Sequence, residues 1–189
     1  MRRSLLALFV AAVTLLPACG QAAGEGSMAQ QSTVEELGLP ETIELEFVSG
    51  ERVESAAATL YVGRGYSVYI PDAGWKKERE RERLASVDAW ESTLDDEVEF
   101  AVYHYGRLSM EEAVTRFLKE QDDYVFQELL LKDSEAKEPL EGVDEDGDVL
   151  KFLPRAGKEG VYIVSWSYRN AFGAAASQAE RIAGTFVLM

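Results

Sequence analysis

The two residue types that do most nucleophilic and acid–base work in proteins occur once each in this 189-residue chain, as Cys19 and His104. His104 could act as the base of a Ser-His-Asp relay, but no Gly-x-Ser-x-Gly stretch is there to present a strained serine. In the Glu97–Tyr105 segment it shares a face with Val98, Phe100 and Val102 near the strand end, so a packed or half-exposed structural histidine is the expectation. Zinc needs several His, Cys or carboxylate ligands at suitable spacing, and one histidine without a cysteine after position 19 does not supply them. Asp144-Glu145-Asp146-Gly147-Asp148 offers hard oxygen ligands. As a calcium loop starting at Asp144, however, it would put Val149 where glycine and Arg155 where a bidentate glutamate are required, so an acidic turn is expected. Gly63-Arg64-Gly65 lacks the third glycine and the following helix of a dinucleotide loop, and is expected to be a hairpin turn. The pairs Asp95/Asp96, Glu111/Glu112 and Asp122/Asp123 follow from a chain with 34 acidic residues, whereas glycoside hydrolysis needs two carboxylates facing each other across a cleft. Neither a cofactor nor a metal is expected.

Cys19 has a different chemistry. It follows Leu16-Pro17-Ala18 at the end of the run Leu5–Leu16, which is preceded by Met1-Arg2-Arg3. Twelve helical residues at ~1.5 Å each cover about 18 Å, well short of the ~30 Å core of a bilayer, so the run is too short to span one. A basic start, a short apolar stretch and a small residue before the cut make an export signal. Leu-Pro-Ala-Cys resembles the lipobox of bacterial lipoproteins, which implies cleavage before Cys19 and lipid on its thiol. The expected division is a signal peptide at 1–18, a flexible tether at 19–40 rich in Gly, Ala, Gln and Ser, and one globular domain at 41–189. The bacterial cell membrane, on its extracytoplasmic face, is then the expected location.

Removing residues 1–18 takes Arg2 and Arg3 from the 19 basic residues, leaving 17 against 34 acidic and a net charge near −17. Such a field repels nucleic acid and anionic head groups, so a nucleic-acid partner is not expected. With Cys19 the only cysteine, no intrachain disulfide can form, and the domain must rest on an ordinary core.

The elements of that core follow from periodicity. Ile43, Leu45 and Phe47 alternate with Glu44 and Glu46, a turn at Ser49-Gly50 follows, and Val53 begins a return strand. Strands are also expected at 59–62, 66–70, 86–94, 97–105, 124–131, 149–153 and 161–168. Ser109-Met110-Glu111-Glu112 has the spacing of a capping box, with Ala113, Val114, Phe117 and Leu118 at helical spacing behind it. Ala174–Ala183 reads as a closing helix before the short apolar end Thr185–Leu188. From Lys76 to Arg83 basic and acidic residues alternate, which as a strand would carry charge on both faces and belongs at an edge or in a protruding hairpin.

Tyr66-Ser67-Val68-Tyr69-Ile70-Pro71 with Gly74-Trp75, followed by Ser109-Met110-Glu111-Glu112-Ala113, resembles the PsbP/Mog1-like fold over roughly residues 58–188. The resemblance implies an α+β domain with helices packed on an antiparallel sheet, and a binding or assembly role rather than catalysis. It transfers no contact residues. From the residues themselves, the expected contact surface is the positive stretch Lys77, Arg79, Arg81 and Arg83 beside Trp75, able to meet an acidic protein partner. Alternative readings are a hydrolase of the cell envelope and a small solute-binding lipoprotein.

Overall fold

The computed structural model describes residues 37–78, 85–126, 138–169, 171 and 173–189. Cys19, the tether up to residue 36 and residues 127–131 of one expected strand lie outside them. The α+β reading holds: among the described residues eleven strands, all antiparallel, form two sheets, and two helices pack against them.

In the first sheet β1 (Thr42–Ser49), β2 (Arg52–Gly63) and β3 (Tyr66–Pro71) form a meander, closed by β11 (Val187–Leu188) against β3. The expected return strand from Val53 and the strand at 59–62 are one continuous element. Gly63-Arg64-Gly65 is the turn between β2 and β3, with Gly65 at φ +74°. A side chain at Gly63 would collide with the Tyr66 ring, so the glycine is what lets that ring fold back over the turn.

The second sheet has the order β4-β5-β6-β10-β9-β8-β7. Its strands are β4 (Trp75–Lys77), β5 (Ser86–Ser92), β6 (Glu99–His104), β7 (Val125–Phe126), β8 (Leu140–Val143), β9 (Val149–Gly157) and β10 (Gly160–Tyr168). The strand expected to stop at Leu153 continues through Pro154. β8 ends opposite Phe152, so Pro154 falls where β9 has a neighbour on one side only and a missing N–H is tolerated.

Both helices were foreshadowed. α1 (Met110–Glu120) begins with the full capping box: Ser109 Oγ accepts from Glu112 N at 3.2 Å, and Glu112 Oε2 accepts from Ser109 N at 3.0 Å. α2 (Ala174–Gly184) starts after Gly173 without a side-chain cap. Alternation along the central strands splits the second sheet into two apolar faces. Trp90, Phe100, Val102, Val164 and Trp166 point toward the first sheet and α2, where they meet Leu60, Val68, Ala179 and Ile182. Ala101, Tyr103, Phe152 and Ile163 point the other way, onto Ala113 and Phe117 of α1. The architecture is therefore layered, with the second sheet in the middle and a core on each side.

Candidate functional site

At one end of the space between the sheets, four polar side chains from four strands converge. Alternation in β5 puts Asp88 on the face of Trp90, looking toward the first sheet. There Asp88 Oδ1 accepts from Tyr61 OH at 2.8 Å, and Oδ2 accepts from Tyr66 OH at 2.7 Å. Lys77 Nζ lies 2.6 Å from Asp88 Oδ1 and donates to Tyr61 OH at 2.5 Å. The same ammonium sits 4.3 Å from the Tyr61 ring centre and 5.5 Å from that of Trp90, a cation–π arrangement. Tyr61 meets Trp90 edge-on at 4.9 Å, and Tyr66 stacks on Phe186 at 5.4 Å.

Burial alone would raise the Asp88 pKa, but hydrogen bonds from Lys77, Tyr66 and Tyr61 outweigh it and hold the carboxyl below its usual range. Lys77 is the mirror case. Desolvation pulls its pKa down, and the bonds to Asp88 and Tyr61 carry it above the ordinary lysine value. Burial, with Asp88 adding to it, keeps both tyrosine hydroxyls protonated. The cluster is thus an ion pair with two neutral donors, arranged to clasp the two sheets together.

Of the residues expected to form the contact surface, Trp75 and Lys77 are described, whereas Arg79, Arg81 and Arg83 lie outside the described residues. Trp75 is on β4, the edge strand, and its indole N–H donates to Gln178 Oε1 of α2 at 2.8 Å. Lys77 is half-exposed but already paired with Asp88. The described start of the positive stretch, Trp75 and Lys77, is therefore held by side-chain contacts at both ends of the edge strand β4. Nothing in the spacing of Tyr61, Tyr66, Lys77 and Asp88 announces that they meet. The available signal was a carboxylate on the inward face of a strand, at Asp88.

His104 is buried, stacks on Tyr162 at 4.6 Å, and has Nε2 at 3.1 Å from the Glu159 carbonyl oxygen, as expected of a structural histidine. The Asp144–Asp148 stretch is the turn between β8 and β9. Asp144 Oδ1 accepts from the backbone N–H of Asp146 at 3.0 Å and of Asp148 at 2.8 Å. Arg169 then bridges Asp148 and Glu97, each at 2.6 Å. Among the described residues no helix is long and apolar enough to cross a membrane.

No protein-family model matches the chain, and no curated protein does. Among solved structures, a crystal structure from Bacteroides thetaiotaomicron is similar over 69% of this chain and 48% of that one, at 13% identity and a TM-score of 0.41. The chain thus spans about half the length of that protein. A likeness of this degree assigns neither a fold family nor an activity.

Proposed function

We propose that this chain is a lipoprotein of the bacterial cell envelope, held at the extracytoplasmic face of the membrane by lipid on Cys19, and that its PsbP/Mog1-like domain works by binding an acidic protein partner rather than by catalysis. The address rests on Leu16-Pro17-Ala18-Cys19 behind a short apolar run. The observation that carries the binding role is the rigid base of the positive stretch. Trp75 is tied to α2 and Lys77 to Asp88, so the sequence that continues to Arg79, Arg81 and Arg83 starts from a fixed sheet edge. His104 is committed to Tyr162 and the Glu159 carbonyl, which fits a role without acid–base chemistry.

The test is charge reversal. Arg79→Glu, Arg81→Glu and Arg83→Glu together should leave the melting temperature nearly unchanged, because exposed ion pairs contribute only ~0–1 kcal/mol each. The same triple variant, used as bait in membrane extracts, should lose the partners that the parent recovers at low salt. Recovery of the same partners with the same salt sensitivity would exclude this surface.

A further inference from the structure

In the first sheet β1 is an outer strand, with β2 on one side and, among the described residues, no strand on the other. Its hydrogen bonds alternate. Leu60 N–H donates to the Glu41 carbonyl at 2.8 Å, and the same register gives Ile43, Leu45, Phe47 and Ser49 the bonds to β2. Thr42, Glu44, Glu46 and Val48 therefore turn their N–H and C=O groups outward. Helix α2 takes up one of these groups, since Val48 N–H donates to Ser177 Oγ at 2.9 Å. Beyond that bond a groove opens between strand and helix.

The groove has a volume of about 430 Å³, inside the ~300–1,000 Å³ range of ligand-sized clefts. Glu44 and Glu46 form one wall, and Glu180, Arg181, Gly184 and Thr185 at the C-terminal end of α2 form the other. Both glutamates are exposed, and their outward backbone groups have no partner among the described residues. An edge that offers a donor and an acceptor at every second residue, beside a helix, can take an added strand. Charge decides which strand. Glu44 and Glu46 share one face, and residues opposite them in a ladder lie about 5 Å away, where like charge repels. A second copy of β1 is therefore disfavoured, because antiparallel pairing centred on this stretch sets carboxylate against carboxylate.

We infer that the β1 edge is a strand-addition site for an extended segment of a partner protein carrying lysine or arginine at two alternate positions, opposite Glu44 and Glu46. The backbone ladder supplies the docking and the two charge pairs supply the choice of partner. Leu45 points from β1 to the side where α2 packs, so the residues between the two basic ones face the helix wall. Arg181 stands there, which favours small uncharged side chains at those positions. This site uses a different sheet edge from β4 and the opposite charge, so its test and the charge reversal at Arg79, Arg81 and Arg83 can fail separately.

The probe is a synthetic peptide, Thr-Val-Thr-Lys-Thr-Lys-Thr, blocked at both ends and titrated into the full chain by calorimetry at constant ionic strength. It should bind saturably and slow hydrogen exchange at the Glu44 and Glu46 amides. N-methylation of either lysine removes an N–H that faces β1 and should weaken binding by about tenfold or more, the factor of one hydrogen bond. N-methylation of the threonine between them alters a group that faces away and should change little. Glu44→Lys with Glu46→Lys should weaken the lysine peptide and bind its glutamate counterpart instead. Because the methylated peptides are tested on the parent protein, the backbone claim does not rest on any variant folding. Four results would overturn the inference: no saturable binding up to about 5 mM; equal loss on methylating the intervening threonine; unchanged affinity in the double variant; or amides at Glu44 and Glu46 already slow without peptide, which would mean that a second copy or the chain's own N-terminal segment covers the edge.

Discussion

Asp88 stays ionised in surroundings that would otherwise favour the neutral acid, because Lys77, Tyr61 and Tyr66 all donate to it. Replacing it by Asn keeps the volume but leaves the Lys77 ammonium without its counter-charge. Asp88→Asn should therefore destabilise the domain by about 1–3 kcal/mol, toward the lower end because Lys77 is partly screened by solvent. Urea unfolding of parent and variant would measure this. The pH dependence has a definite sign. A carboxyl whose folded pKa lies below its unfolded one stabilises fully above the ordinary carboxylate range, and that stability is lost as pH falls through the lowered value. The parent should thus lose stability in acid more steeply than Asp88→Asn, and parallel acid profiles would show that the carboxylate is not held as described.

At the scale of elements, the capping box at Ser109 was legible because both of its bonds are local, as were the strands whose alternation faces a core on one side. Ser109→Ala should cost about 1 kcal/mol, read as a lower urea midpoint with unchanged slope. Elements that depend on distant neighbours were harder to read. β8, four residues between Pro139 and the Asp144–Asp148 turn, is a strand because β9 pairs with it, and its sequence is too short to carry a period. β4 has three residues and is defined by its ladder with β5. The Asp88 cluster draws on β2, β3, β4 and β5, two strands from each sheet, so no spacing within one segment could reveal it.

For the whole molecule, the middle sheet shares side chains with both cores, so the two sheets should not melt separately. Residues 41–189 should unfold in one transition by the fluorescence of Trp75, Trp90 and Trp166, with no change on adding reductant. Two separated transitions would mean that the cores are independent. Within this unit, Phe152 and Phe117 pack at 4.9 Å between ring centres under α1, and Phe152→Ala should cost about 3–5 kcal/mol. A ΔΔG near zero in denaturant titrations would place α1 off the sheet.

The claim on which the biological reading rests is that the mature protein begins at a lipid-bearing Cys19. An intact-mass measurement on protein purified from bacterial membranes tests it most directly, with labelling by a clickable fatty acid in parallel. The account predicts a chain starting at Cys19, heavier than its sequence by two or three acyl chains on a thioether-linked glycerol, and a Cys19→Ala protein that stays uncleaved and unlabelled. A mature chain that keeps residues 1–18, or that carries an unmodified Cys19, would contradict it.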